Sequence, residues 1–102
     1  MIVVRTVLQG QFGTGGKLAA NLSEVSKAMM AGMGTPRRWR VLSDLSGPYD
    51  TVVQEVEAES LAEWETMRVK LFELGAFRES MATMQELVAS GRNELWTIEA
   101  ES

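Results

Sequence analysis

The chain has 102 residues, 45% of them apolar and 24% charged, which predicts one soluble globular domain over residues 1–102 with a single core. Its formal charge of -4 argues against a nucleic-acid partner, because phosphate binding needs a net basic surface. The sequence contains no run of roughly 18 apolar residues that could cross a bilayer and no signal-peptide pattern, so we expect a cytoplasmic protein without a membrane partner.

The first predicted elements are a strand, a loop and a helix. "MIVVRTVL" is a short run rich in β-branched residues, which is typical of a strand buried on both faces. The glycine-rich "GQFGTGG" follows as a loop, and the helix after it should end at Gly32 and Gly34. This helix has one apolar stripe at spacings of three or four residues: Leu18, Leu22, Val25, Met29 and Met33.

Two alternating segments, "RRWRVLSDL" and "DTVVQEVEA", predict a hairpin that turns within "SGPY". If residues 46–49 form the loop, Arg40 lies opposite Glu55 on one face of the hairpin, and Trp39 lies opposite Val56 on the other. Opposite charges across a strand pair stabilise this register, and a shift by one residue would exchange the two faces. We therefore expect the charged face to point away from the helices.

A second helical region follows the hairpin. Ser60 and Glu63 have the spacing of a capping box, in which each side chain accepts a hydrogen bond from a backbone N–H at the helix start. Gly75 interrupts the apolar stripe, so we expect a kink or two consecutive helices ending at Gly91, before a last strand "NELWTIE". The stripe comprises Leu61, Trp64, Met67, Leu71, Leu74, Phe77, Met81, Met84 and Val88.

The order strand, helix, strand, strand, helix, strand predicts an α+β, ferredoxin-like βαββαβ fold. Right-handed crossovers convert it into a four-stranded antiparallel sheet with helices on one face and the first and third strands in the centre. To the helix-facing side we assign Ile2, Val4, Trp39, Val41, Val52, Val56, Trp96 and Ile98. The opposite face should carry Val3, Val7, Leu42, Val53 and Leu95 among Arg5, Arg40, Glu55 and Thr97. That face is too apolar to remain in water, so a second copy of the chain should cover it.

The whole chain, and especially "DLSGPYDTVVQEVEAESLAEWE", resembles the dimeric α/β-barrel superfamily, in particular its NIPSNAP-like and antibiotic-biosynthesis-monooxygenase-like members. The resemblance implies a homodimer whose two sheets face each other to form a barrel, with a cleft between helices and sheet in each subunit. It also implies a choice among cofactor-free oxygenases, haem-degrading enzymes, isomerases, cyclases and ligand sensors. The histidine used by haem-degrading and isomerase-type members is absent here, which argues against those two chemistries.

Candidate ligand-binding residues are polar and aromatic side chains expected on the helix-facing side of the sheet or at its end. A mostly apolar cleft with a few orienting polar groups is the usual composition of a small-molecule site, although ordinary packing explains the same residues. The candidates are Thr6, Trp39, Ser43, Tyr49, Gln54 and Trp96. We identify no catalytic residue, and with neither cysteine nor histidine we expect no metal site and no cofactor.

Two loops can each be interpreted as a connection or as a site. "GQFGTGGKL" lacks the spacing of a phosphate-binding P-loop, yet its amides and Lys17 at the helix start could hold a carboxylate or phosphate of a small ligand. Tyr49 and Asp50 could be polar site residues, although their neighbours Gly47 and Pro48 are typical of a turn. In both loops we favour the structural interpretation.

Two functional hypotheses follow. The first is a barrel protein that binds a small apolar or aromatic molecule in the cleft between helices and sheet. The second is a cofactor-independent monooxygenase-like enzyme, in which an aromatic substrate supplies its own reducing power. The absence of histidine, cysteine and paired carboxylates favours the first.

Overall fold

The computed structural model describes residues 1–32 and 37–102. In chain order the elements are β1 (Ile2–Gly10), α1 (Gly15–Gly32), β2 (Trp39–Ser43), β3 (Thr51–Ala58), α2 (Leu61–Glu73), α3 (Gly75–Leu87) and β4 (Val88–Thr97). The strands form one antiparallel sheet in the order β2-β3-β1-β4, and the helices pack on one side of it. The predicted α+β ferredoxin-like arrangement is confirmed, with β1 and β3 in the centre. Met33 and Gly34 of the first predicted helix lie outside the described residues.

The core lies between α1, α2 and the central strands. The predicted stripe of α1 is buried: Leu18, Leu22, Val25 and Met29. At one end of the sheet, Leu18 and Leu22 pack against Val52 of β3. At the other end, Met29 packs with Val56 and with Met67 of α2. Because each strand of the sheet alternates its side chains between two faces, these contacts define a helix-facing side and leave an opposite side, here called the open face.

The hairpin has the predicted register. Trp39 pairs with Val56 and Arg40 with Glu55, and Arg40 Nε lies 2.6 Å from Glu55 Oε1 on the open face. The loop is longer than the predicted residues 46–49, because the last backbone hydrogen bond between the strands joins Asp44 N–H to the Thr51 oxygen at 3.1 Å. The loop therefore spans residues 45–50.

The second helical region forms two consecutive helices instead of one kinked helix, which was one of the two predicted alternatives. Leu74 has an extended backbone (φ -78°, ψ 126°) and separates α2 from α3. Ser60 Oγ accepts the predicted hydrogen bond from Glu63 N–H at 3.2 Å. The Glu63 carboxylate reaches back to the N–H of Glu59 at 3.0 Å, one residue before the position expected of a capping box. α3 ends at Leu87 instead of Gly91.

The last strand differs from its prediction in both start and orientation. It begins at Val88, which was predicted to be the last residue of the apolar helical stripe. β1 pairs Val3 with Trp96 and Val4 with Leu95, so Leu95 lies on the helix-facing side and Trp96 on the open face. The assignments of Trp96, Leu95 and Thr97 to the opposite sides were therefore wrong. They rested on apolarity, and a tryptophan can lie on a polar face when its indole N–H finds an acceptor.

Ile98 was also assigned to the helix-facing side. It follows the end of β4, and its N–H donates to the Met1 oxygen at 3.1 Å. Its neighbours across the surface include Val3 and Glu57, which belong to the open face. Ile98 and Trp96 are two positions apart, so they belong to the same face of the sheet. The assignment of Ile98 to the helix-facing side was therefore wrong for the same reason as that of Trp96.

Gly75→Ala should stabilise the chain. Gly75 is the first residue of α3, and an added Cβ would meet no atom within 4 Å. The substitution should raise the free energy of unfolding by about 0.4–1 kcal/mol, because alanine restricts the unfolded chain and favours the helix. The matched control is Gly15→Ala, whose Cβ would lie 2.8 Å from Asp50 Oδ1 and should destabilise. Urea denaturation of both variants measures the difference, and a loss of stability in Gly75→Ala would contradict the described break.

Candidate functional site

A cleft of about 510 Å³ lies between the helix-facing side of the sheet and helices α2 and α3. Its roof is formed by side chains of the two helices: Trp64, Arg68, Leu71, Phe72, Phe77, Met81, Met84 and Gln85. Its floor is formed by the strands and one side of α1: Thr6, Leu8, Leu22, Val25, Gln54, Val88 and Asn93. The volume and the predominantly apolar lining are those of a small-molecule site.

The cleft exists because the helices cover the sheet unevenly. α1 packs over β2 and β3, and α3 packs against α1. Asn21 of α1 and Ser80 of α3 form a reciprocal pair, in which Ser80 Oγ donates to Asn21 Oδ1 at 2.8 Å and Asn21 Nδ2 donates to the Ser80 oxygen at 3.2 Å. The helix-facing side of β4 consequently lies open, and Leu95 there is 52% exposed.

Three polar side chains form a row across the cleft floor. Thr6 of β1 lies between Gln54 of β3 and Asn93 of β4 in the sheet register. Thr6 Oγ1 donates to Asn93 Oδ1 at 2.8 Å, and Gln54 Nε2 donates to the buried Ser26 Oγ at 2.6 Å. These bonds orient both amides, and neither Asn93 Nδ2 nor Gln54 Oε1 has a hydrogen-bond partner in the described ranges. A bound molecule can therefore meet one amide donor and one amide acceptor in an apolar cavity.

The roof is aromatic on both sides of the helix break. Phe72 near the end of α2 and Phe77 near the start of α3 meet edge to face, with ring centroids 5.2 Å apart. Phe72 is nevertheless 54% exposed. Aromatic rings exposed at a concave surface favour the binding of apolar or aromatic molecules.

The structure brings two of the six predicted site residues into the cleft, Thr6 and Gln54. Trp39 packs instead in the core around Met29 and Val56. Ser43 is exposed at the end of β2.

The other two predicted site residues lie elsewhere. Tyr49 is 74% exposed on the hairpin loop, where its ring meets Phe12 edge to face at 6.1 Å. Its backbone oxygen accepts a hydrogen bond from Gln9 Nε2. Trp96 lies on the open face, on the far side of the sheet from the cleft. Neither residue lines the cleft.

Sequence reasoning missed Asn93, Gln85, Arg68 and Phe72 as cleft residues, and it placed Trp64 and Phe77 on the apolar stripe of the helices. Asn93 could have been found only with the correct register of β4, because its position opposite Thr6 follows from that register. Arg68 carried a readable signal. It follows Trp64 by four residues and precedes Leu71 by three, so a charged side chain shares the apolar stripe of α2.

Asp50 is a structural residue. Its Oδ2 accepts from Gly13 N–H and its Oδ1 from Gly15 N–H, each at 2.9 Å, and its backbone oxygen accepts from Gly10 N–H at 2.8 Å. The amides at the start of α1, considered above as a place for a ligand carboxylate, therefore hold the carboxylate of Asp50. A negative charge is favourable at this helix N-terminus. The backbone of Asp50 is left-handed (φ 58°), a conformation that aspartate tolerates better than most residues.

The open face carries a network of ion pairs. Arg5 lies between two carboxylates, with Nε 3.2 Å from Glu55 Oε2 and Nη1 3.1 Å from Glu94 Oε1. Arg40 binds the other oxygen of Glu55. The predicted pair of Arg40 and Glu55 is thus one end of a chain of charges that crosses the sheet from β2 to β4.

Glu94 is the most strongly perturbed carboxylate of this network. It accepts hydrogen bonds from Arg92 Nε at 2.8 Å, from Trp96 Nε1 at 3.1 Å and from Arg5. The hydrogen bond from Arg92, followed by those from Trp96 and Arg5, lowers the pKa of Glu94 to about 2. Glu94 and Trp96 lie two positions apart on β4 and share a face in either orientation of the strand, so the ion pair of Glu94 with Arg5 of β1 favours this polar face for both.

Among the described residues, neither the acidic side chains nor the helices indicate a metal centre or a membrane-spanning segment. Within residues 1–32 and 37–102, no three Asp or Glu side chains cluster closely enough to hold a metal ion. In the same ranges, no helix combines the length and apolarity needed to cross a bilayer.

The fold is shared with solved structures of low sequence identity. A NIPSNAP-like domain protein from Burkholderia xenovorans is 17% identical, and the match covers 99% of this chain and 87% of that one with a TM-score of 0.82. A NIPSNAP family protein from Agrobacterium tumefaciens is 19% identical over 94% and 90% of the two chains, with a TM-score of 0.78. A Deinococcus radiodurans protein named provisionally as an antibiotic biosynthesis monooxygenase is 15% identical over 100% and 96%, with a TM-score of 0.73.

These matches confirm the predicted resemblance at the level of the fold. No protein-family model matches the chain, and no curated protein matches it significantly. At such identities the likeness extends to the arrangement of strands and helices, and activity has to be argued from the cleft itself.

Glu94→Gln tests the ion-pair network through its pH dependence. Because the folded-state pKa of about 2 lies below the ordinary value of 4.5, the ionised carboxylate stabilises the folded chain above about pH 4.5. That contribution is lost as the pH falls from 4.5 through about 2. In urea denaturation we expect the wild type to be more stable than Glu94→Gln at neutral pH, and the two to converge in acid.

The matched control is Glu86→Gln, at an exposed position on α3. Its stability should follow that of the wild type across the same pH range. A gap between wild type and Glu94→Gln that is equal in acid and at neutral pH would contradict the network.

Proposed function

We propose that this protein binds a small apolar or aromatic molecule in the cleft between α2, α3 and the sheet. The observation that carries the proposal is the combination of an aromatic roof with the polar row of Thr6, Gln54 and Asn93 on the floor. Burial of apolar surface supplies affinity, at about 25 cal/mol per Å², and the two oriented amides supply specificity.

The names of the fold neighbours are compatible with this proposal and do not select a ligand. The NIPSNAP proteins of known structure include one described as uncharacterised and one described as of unknown function. Other fold neighbours are named provisionally as antibiotic biosynthesis monooxygenases. The ligand has to be sought from the chemistry of this chain.

The binding proposal is tested by filling the cleft. Met81 lines the cleft and is 36% exposed, so Met81→Trp should occupy the cavity without disturbing the core. We expect the neutral probe N-phenyl-1-naphthylamine to bind the wild type saturably, with a rise in fluorescence, and to bind Met81→Trp about tenfold more weakly. The matched control is Val69→Trp, at an exposed position of α2 outside the cleft, which should leave binding unchanged. Equal binding by both variants, or no saturable binding by the wild type, would overturn the proposal.

The second candidate is a cofactor-independent monooxygenase-like enzyme that acts on an aromatic substrate in the same cleft. The amides of Asn93 and Gln54 favour it, since a phenolic or enolate oxygen could bond to an amide while the apolar walls exclude water. In such a reaction the substrate would supply its electrons to oxygen, and the protein would orient it. Incubation with phenols and quinols under oxygen separates the candidates, because oxygen consumption with stoichiometric product favours the enzyme and saturable binding without turnover favours the binding protein.

We also propose that two copies associate through their open faces. Leu42 is 38% and Trp96 55% exposed on that face, although Val7 and Val53 are already mostly covered within one chain. The exposed apolar area is therefore smaller than the sequence predicted, and a partner would also have to cover the ion pairs around Arg5. Apolar side chains around paired charges are compatible with a specific interface.

The dimer is tested with Leu42→Asp. Because Leu42 is partly exposed, the variant should fold, and its new charge should prevent two open faces from meeting. Sedimentation velocity at micromolar concentration should show a dimer for the wild type and a monomer for Leu42→Asp. Leu45→Asp, at a fully exposed loop position, is the matched control and should remain dimeric. A wild type that sediments as a monomer would refute the association.

A further inference from the structure

The charge of the cleft lining is one-sided. The chain as a whole is acidic, with 14 Asp and Glu against 10 Lys and Arg. The side chains that line the cleft nevertheless include one cation, Arg68, and no carboxylate. The one charge on the cleft lining is therefore opposite in sign to the net charge of the chain, and an anionic group would be attracted to it.

Arg68 lines the cleft and is also accessible to water. It lies on the α2 stripe that forms the cleft roof, four residues after Trp64, and its side chain is 46% exposed. The aliphatic part of an arginine packs on apolar surface while the guanidinium remains at the water boundary. Arg68 thus lines the apolar cavity while nearly half of its side chain remains accessible to water, and the head group of an amphipathic ligand would lie beside it.

The protein does little to neutralise this guanidinium. In the described ranges its ion pair is with Glu65, at 3.5 Å, and both side chains are largely exposed on the same helix. A pair of this kind contributes little and can be exchanged for a better partner. Arg37 offers the contrast, because its side chain is 16% exposed and binds Glu63 through two nitrogens.

Resting on the cleft proposed above, we propose that its ligand is a monocarboxylate with an apolar or aromatic body, and that Arg68 binds the carboxylate. A guanidinium presents a planar fork of N–H donors that fits a carboxylate with two parallel hydrogen bonds. One positive charge compensates one negative charge, so a phosphate dianion would leave a charge unpaired beside an apolar wall. The neutral amides of Asn93 and Gln54 on the floor remain for a hydroxyl or carbonyl group on the ligand body.

Calorimetric titration with a matched pair of ligands tests the inference. 2-Naphthoate carries the carboxylate, and 2-naphthamide has nearly the same shape without the charge. The wild type should bind the naphthoate about tenfold more tightly, as expected of a hydrogen bond to a charged group. Arg68→Gln should remove this preference by weakening the naphthoate alone. Glu65→Gln should tighten naphthoate binding, because it removes a competing carboxylate.

Arg78→Gln is the matched control, since Arg78 lies on α3 outside the cleft lining and its variant should keep the preference. Higher salt should reduce the preference in the wild type, because the head group lies at the water boundary. Equal affinities of the wild type for both ligands would overturn the inference while leaving an apolar cleft in place. A preference that survives in Arg68→Gln would also overturn it. If the wild type bound neither ligand nor the neutral naphthylamine probe, the proposed binding function would itself fail.

Discussion

The register of β1 between its two neighbouring strands determines which side chains meet on each face of the sheet. Thr6 pairs with Gln54 on one side and Asn93 on the other, which assembles the polar row of the cleft floor. Arg5, the residue before Thr6, pairs with Glu55 and Glu94 and assembles the ion pairs of the open face. A slip of one residue in either pairing would exchange the two sets, because the side-chain period of a strand is two.

The parts of the fold that sequence reasoning predicted are those in which several local signals agree. In the hairpin, alternation in both strands, opposite charges at Arg40 and Glu55 and a Gly-Pro turn all favour one register, which is the one observed. β4 lacks such agreement, because "VASGRNELW" contains turn-like residues and no alternation. Its orientation is fixed by pairing with β1, which places Glu94 opposite Arg5 in an ion-pair network that also includes β2 and β3. The candidate site could not be fully predicted for the same reason, because Asn93 is identified as a cleft residue only once the register of β4 is known.

Asp50 shows why a local pattern could not distinguish a turn from a site. Its neighbours Gly47 and Pro48 are turn residues, and its polar carboxylate also suits a binding site. The decisive partners, Gly13 and Gly15, lie more than thirty positions earlier in a loop that itself looked able to bind a ligand. The amides of one loop bind the carboxylate of the other. Two features that each resembled a ligand site are therefore parts of one structural contact.

The helix break at Leu74 links the fold to the cleft. α2 and α3 contain 13 residues each, and one unbroken helix over both would be about 40 Å long. That length exceeds the 35 Å extent of the protein along its longest principal axis. The break lets α3 turn and pack against α1 through Asn21 and Ser80, and this leaves the helix-facing side of β4 open. The cavity is thus a consequence of the break in the second helical region, and the exposed Phe72 in its lining is apolar surface that a ligand would cover.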